Sequence, residues 1–243
     1  MDLIHIKDSA IFLSDIHLSD RSEKEIAYFL SFLDKHAKKI PNIFILGDLF
    51  DWWPGDDTDQ FKDVIDGLKK VSKKSKLFFI CGNRDYLIDK QFSKKTNVTL
   101  LPDHELIKLG KEYAIILHGD TLCTDDKKYQ RFRKFSRCWI SKKAYLFFPK
   151  ILKDYIFKYV RKKSEYDKNF KVESIMDVND NSVQKLFNEF KHPPIMIHGH
   201  THRPKIHHYK FNGINSKRWV LSDWYKSGSF LLWKNGKLKN IKI

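Results

Sequence analysis

The sequence predicts an α/β layered fold: one large domain carrying a helical insertion over about residues 127–171. Three observations predict it. Short apolar runs suited to buried strands alternate with segments of helical spacing, and hairpin signals follow in the second half of the chain. Between the β regions, one stretch has few glycines, many aromatics, and Lys or Arg on nearly every turn. With 243 residues, 42% of them hydrophobic, the chain can bury a full core.

In chain order, "AIFLSD" reads as a buried strand, and Ile26, Phe29, Leu30, Leu33 and Ala37 follow at the three-and-four spacing of a helix with one apolar face. "NIFILGD" is the next strand. Phe61, Val64, Ile65, Leu68 and Val71 repeat the helical spacing, and "KLFFICGN" is a third strand. "HELIKL", Gly110 and "EYAIILHGD" form a hairpin pattern, and the Asn-Gly pairs in "FNGI" and "KNGK" mark two more. Within the insertion, Ile151, Leu152, Tyr155, Ile156, Tyr159 and Val160 make an apolar stripe beside Lys150, Lys153, Lys158, Arg161, Lys162 and Lys163. That combination suits either a helix packed on the core or one lying on an anionic lipid surface.

Lys and Arg number 46 against 30 Asp and Glu, a formal charge of +16, which favours a polyanionic partner: nucleic acid, an anionic membrane surface or a phosphorylated substrate. Three cysteines, Cys81, Cys123 and Cys138, are odd in number and unclustered, so a disulfide framework is not expected and a reducing compartment fits. The first residues show no secretory signal pattern, and no apolar run is long enough to cross a bilayer.

Residues of metal-ligand type recur where the core strands end. "LSDIHL" supplies Asp15 and His17, "LGDLFDWW" Asp48, "CGNRD" Asn83 and Arg84, and "LHGD" His118. "HGHTHRP" adds His198, His200 and His202, which in an extended segment would share one face and converge. In α/β sheets, ligands gather beyond the carboxyl ends of strands. Carboxylate, imidazole and amide donors without thiolate suit Mn²⁺, Fe²⁺ or Zn²⁺. Their number exceeds the need of one tetrahedral site, and a carboxylate such as Asp48 can bridge two ions ~3.5–4 Å apart to activate water and neutralise a phosphoryl group. Trp52 and Trp53 are expected to pack beneath this site, and Cys81 and Cys123 to be buried thiols.

In order along the chain, "D-x-H", "GD", "GNRD", "HGD" and "GHTH" resemble the calcineurin-like metallophosphoesterase family. The resemblance implies a β-sandwich flanked by helices with a two-metal site, most often Mn²⁺, at one edge. "HGDTLCTDDKKYQRFR" and "IMDVN" extend the likeness to the branch that cleaves the pyrophosphate of UDP-2,3-diacylglucosamine in lipid A synthesis. It implies one ion held by Asp15, His17, Asp48 and His200 and a second by Asp48, Asn83, His118 and His198, with His202 a neighbour. Asp48, Asn83, Arg84 and His118 then carry the chemistry, in which water attacks the α phosphorus to give UMP and 2,3-diacylglucosamine 1-phosphate. Substrate contacts fall on Asn83, Arg84, Asp126, Tyr129, Ser164, Lys168, Lys171 and His198. Two positions depart from the family pattern: Lys168 stands for an asparagine, with Asn169 one place on, and Ser222 for a glycine. The implied enzyme is a cytoplasmic monomer, peripheral on the cytoplasmic face of the inner membrane, with the insertion as a lid over the acyl chains and no nucleic-acid partner. The alternatives are another two-metal phosphodiesterase or nuclease of the superfamily, and a basic binding protein that has kept the fold. The complete ligand set argues against the last, and the continuous aliphatic face of the insertion against a nuclease.

Overall fold

The computed structural model describes residues 3–19, 22–56, 60–149, 151–153, 155–156, 158–160, 177–211, 213–225 and 228–243. The chain divides into two compact units, Met1–Asp120 with Lys185–Ile243, and Thr121–Gln184.

The first unit is a β-sandwich. One sheet runs β12-β11-β2-β3-β4-β5, with β2 (Ser9–Leu13), β3 (Asn42–Ile45), β4 (Lys76–Ile80) and β5 (Thr99–Leu101) parallel. β11 (Ser229–Lys234) joins β2 antiparallel and β12 (Lys237–Lys242) closes the edge. The other sheet runs β1-β6-β7-β8-β10-β9. Its members are β1 (Ile4–Ile6), β6 (His104–Leu109), β7 (Glu112–Leu117), β8 (Ile195–His198), β9 (Ile206–Phe211) and β10 (Ile214–Val220). β7 and β8, and β8 and β10, are parallel neighbours.

The two sheets share one core. Phe12, Phe44, Phe78, Leu231 and Trp233 from the first meet Ile107, Ala114, Ile116, Ile195 and Ile197 from the second. Phe44 stacks on Phe12 and Phe78 at 4.9 and 4.6 Å. Alternate residues of the same strands, such as Ile11, Ile43 and Phe79, are buried on the opposite face. That face explains the helices between the strands: α1 (Glu23–Lys35) and α2 (Lys62–Ser72) each carry an apolar stripe, and α3 (Lys90–Thr96) buries Phe92, which reaches Phe79 at 5.7 Å. A strand buried on both faces reads as a continuous apolar run.

Outside the insertion, of which residues 150, 154, 157 and 161–171 lie outside the described residues, the expected strands, helices and hairpins are present with small shifts. The first helix ends at Lys35, and Ala37 opens the 3-10 turn Ala37–Lys39. Phe61 precedes its helix with left-handed backbone (φ 60°) and is buried against Phe50 and Trp53. Asn235 and Gly236 turn the last hairpin with φ of 52° and 73°, the positive pair that a two-residue turn matching strand twist demands. β1, β5, α3 and α6 (Asp180–Glu189) had no expectation in the sequence; the two strands have only three residues each, too few for a period to register.

The second unit holds α4 (Lys127–Ser136), α5 (Trp139–Leu146), helical residues at 151–153, 155–156 and 158–160, and the start of α6. Asp126 caps α4, its carboxylate accepting the Tyr129 N–H at 3.1 Å. Asn179 donates to both oxygens of Asp125, and Ser182 Oγ to the Leu122 carbonyl, so the strand of chain leaving this unit is tied to the one entering it. Phe135, Trp139, Ile140, Phe147, Ile151 and Tyr155 are all exposed. Among the described residues, no helix is long and apolar enough to cross a membrane.

Candidate metal centre

The order β2-β3-β4 in one sheet and β7-β8 in the other brings five strand ends to one edge of the sandwich. Asp15 and His17 follow β2, Asp48 follows β3, Asn83 and Arg84 follow β4, His118 follows β7, and β8 ends at His198. Backbone bonds couple the turns: Asp15 N–H donates to the Gly47 carbonyl, His17 N–H to that of Asp48, and Gly199 N–H to that of His118. Asp15, His17, Asp48, His200 and His202 all adopt left-handed backbone, φ 53–71°. This region is sparsely used by residues other than glycine, and its concentration at one place is the mark of a site held by its surroundings. Glycine is required beside it. A Cβ at Gly82 would collide with the Asp48 carboxylate, and one at Gly199 with that of Asp15.

Two groups of donors meet across Asp48. On one side, His17 Nε2 lies 3.9 Å from Asp48 Oδ2, 4.0 Å from Asp15 Oδ1 and 3.4 Å from His202 Nε2, while His202 Nε2 lies 3.3 Å from Asp15 Oδ1. On the other, His118 Nε2 lies 3.8 Å from Asp48 Oδ1, and Asn83 Oδ1 stands 3.1 Å from His118 Nε2 and 2.9 Å from His200 Nδ1. His118 donates its Nδ1–H to the Leu46 carbonyl at 2.8 Å, which leaves Nε2 to face the cluster. Asp15 Oδ2 accepts from Ser14 Oγ and the His200 N–H, but its fully buried Oδ1 makes no hydrogen bond.

Electrostatics agree with a site built for cations. Burial alone would push the Asp15 carboxyl up, but His202, His118 and His17 outweigh it and hold the group well below the usual carboxylate range. Burial keeps His17 below its ordinary value and His200, with His118 beside it, at about 4. His118 goes the other way: burial opposes its protonation, and the carboxylates of Asp48, Asp120 and Asp15 prevail. Two buried carboxylates among imidazoles, one with an oxygen that makes no hydrogen bond, fit divalent ions bound through oxygen and nitrogen.

His198 stands apart from both groups. Its Nδ1–H donates to the Gly199 carbonyl at 2.8 Å, and its Nε2 accepts from Arg218 Nη1 at 3.0 Å. Burial and that guanidinium lower it to about 3. The expectation of three histidines on one extended face is therefore corrected: β8 stops at His198, and the left-handed turns at His200 and His202 swing the next two into the cluster.

Arg84 gives its N–H to Asp48 Oδ1 at 2.8 Å, and its charge lowers His17. Trp53 is buried against Phe50, Phe61 and Phe92, and donates to Asp56 Oδ1. The three cysteines are thiols; Cys81 is half-buried and Cys123 buried. Ser164, Lys168, Asn169 and Lys171 lie outside the described residues. Three residues that the sequence did not single out also bear on the site. Asp85, fully buried, accepts the N–H groups of Leu49 and Gly82 and so ties the Asp48 and Asn83 turns together. Burial and neighbouring Asp48 raise it to about 7. Asp223 faces His202, and Tyr225 lies parallel to His17 at 5.3 Å. Proximity in sequence to "GN" and to the tryptophan at 224 was the available signal.

Residues 9–204 match the model of the calcineurin-like phosphoesterase family. The chain belongs to the calcineurin-like phosphoesterase family. Members of this family work with divalent metal ions, and the cluster at the sandwich edge is where such ions fit. A relative from Aromatoleum aromaticum, named UDP-2,3-diacylglucosamine hydrolase, is 39% identical over 93% of this chain and 93% of its own. One of the same name from Proteus mirabilis is 38% identical over 96% and 98%. Among solved structures, an archaeal phosphodiesterase covers 97% of this calcineurin-like phosphoesterase and 99% of its own chain at TM-score 0.50 and 9% identity, a likeness of fold.

Proposed function

We propose that this calcineurin-like phosphoesterase hydrolyses the pyrophosphate bond of UDP-2,3-diacylglucosamine, releasing UMP and 2,3-diacylglucosamine 1-phosphate for lipid A synthesis. The reaction class is carried by one observation: Asp48 turns Oδ2 towards His17 and Oδ1 towards His118, so one carboxylate serves two ligand groups. The substrate is carried by near-full-length identity to relatives of that name.

Asp15, His17, Asp48 and His202 would hold one ion, and Asp48, Asn83, His118 and His200 the other. This set replaces the pair His198 and His200 expected from the motif, because both nitrogens of His198 are engaged elsewhere. Two divalent ions supply, when bound, water activation at neutral pH and neutralisation of phosphoryl charge; Mn²⁺ suits a donor set of oxygen and nitrogen alone. The chain's own contribution is position. Asp85 fixes the turns of Asp48 and Asn83, and the Leu46 carbonyl fixes the tautomer of His118. Arg84, next to Asn83, offers a guanidinium fork to the phosphoryl oxygens. The sugar phosphate is a good leaving group, so no general acid is required of the chain.

Residues 127–171 serve as the lid. The exposed Phe135, Trp139, Phe147 and Ile151, among lysines and arginines, suit acyl chains and an anionic membrane surface, which makes the enzyme a peripheral protein of the cytoplasmic face of the inner membrane. Asp126, Tyr129, Ser164, Lys168 and Lys171 remain the proposed substrate contacts of this segment, and a monomer without a nucleic-acid partner is the simplest working form. The test is turnover of the diacylated nucleotide sugar in chelator and after return of Mn²⁺. Loss followed by recovery is expected; turnover unaffected by chelation would overturn the reading.

A further inference from the structure

Asp223 lies three residues beyond the end of β10, in the loop leading to Trp224. Its carboxylate reaches in two directions. Oδ2 stands 3.4 Å from His202 Nδ1, and Oδ1 accepts the Tyr225 N–H at 3.3 Å. His202 is thus bracketed: Nδ1 faces Asp223, and Nε2 faces Asp15 Oδ1 and His17 Nε2. The ring of Tyr225 lies parallel to that of His17 (6° between planes) and 5.8 Å from that of His202. One carboxylate therefore sets both the imidazole and the phenol that flank His17.

His202 needs such a restraint. Its side chain is 28% exposed, whereas those of Asp15, His17, Asp48 and His118 are 4% exposed or less. Packing holds those four. A histidine on a left-handed turn near solvent has rotamers and a second tautomer open to it, and a carboxylate at Nδ1 removes them by requiring the proton there. Ligand histidines held in this way owe their basicity and aim to the outer carboxylate.

We infer that Asp223 is a positioning residue, which fixes His202 as the Nδ1–H tautomer and aims its Nε2 at the ion shared with Asp15 and His17. The inference rests on the two-ion reading above. It also predicts an asymmetry, because the ion pair and hydrogen bond of Asp223 go to His202 and Tyr225, on the side of Asp15 and His17: only one of two ions depends on it.

The experiment is a Mn²⁺ titration of the metal-free full chain, followed by calorimetry and electron paramagnetic resonance, for wild type, Asp223→Ala, Asp223→Asn and the remote control Asp34→Ala. Wild type and the control should bind two ions. Asp223→Ala should weaken one site by about 10–100-fold and leave the other unchanged. Asp223→Asn keeps an acceptor oxygen but loses the charge, and should fall between. Equal weakening of both sites, or unchanged affinity in both variants, would overturn the inference while leaving the metal centre standing. If the alanine variant does not fold, the asparagine variant decides by the same criteria. A wild type that takes up no Mn²⁺ would overturn the metal centre and this role together.

Discussion

Nη1 of Arg218 donates to Nε2 of His198 across 3.0 Å, and the other ring nitrogen of that histidine donates to the Gly199 carbonyl. The first histidine of "HGHTH" therefore anchors the turn, and the next two face the ligand cluster. Replacing His198 by Gln should leave two Mn²⁺ per chain, whereas His202→Gln should leave one. Metal content after gel filtration, by plasma mass spectrometry, separates the two; loss of an ion in His198→Gln would restore that residue to the ligand set.

Asp48 serves both groups, so its loss should be the most severe of any single change. Taking metal stabilisation of the transition state as about 4 kcal/mol, Asp48→Ala should lower turnover by about 10³-fold or more, with both ions weakened. Circular dichroism must show the variant folded. Near-wild-type turnover in a folded variant would end the two-ion assignment.

Burial and the neighbouring guanidinium hold His198 at about 3 in the fold, against 6.5 ordinarily. Between those values the unfolded chain takes up a proton that the folded chain refuses, so stability is lost as pH falls from 6.5 towards 3. Asp85 opposes this: raised to about 7 from 3.8 by burial and Asp48, it makes the fold more stable as pH falls through that window. A difference between two proteins isolates the histidine. In chelator, the stability of wild type should fall faster with acid than that of His198→Gln, by about 1.4 kcal/mol per pH unit, one proton's worth. Parallel urea-denaturation curves across pH 4–6 would contradict it.

Phe147 and Ile151 are 86% and 85% exposed on the second unit. Changing both to Asp should abolish co-sedimentation with vesicles containing anionic phospholipid and reduce turnover of the diacylated substrate by at least about tenfold, since each buried methylene contributes ~0.8 kcal/mol. Mn²⁺ binding should be unchanged. Retained sedimentation and turnover would remove the lid and the membrane from the proposal.

Attack by water at the α phosphorus puts the new oxygen in UMP. Hydrolysis in ¹⁸O-water followed by mass spectrometry of both products should find the label there. Label in the lipid phosphate would reverse the orientation proposed for the substrate.

Apolar runs, helical spacing and Asn-Gly turn signals determined β2, β3, β4, α1, α2 and the hairpins, because strands buried on both faces and helices with one apolar stripe write their environment into adjacent residues. The residue types at the strand ends, from Asp15 to His118, were equally legible, since chemistry that binds hard cations admits few side chains. Which histidines face the cluster was not. An alternating pattern assumes extended backbone, and the left-handed turns at His200 and His202 break it. Nor could Arg218, Asp85 or Asp223 be assigned their partners from sequence. Arg218 meets His198 only because β10 lies beside β8, Asp85 spans two turns only because β3 lies beside β4, and Asp223 meets His202 where the chain returns after β10. Strand adjacency is a property of the whole sandwich, and the tertiary structure alone decides it.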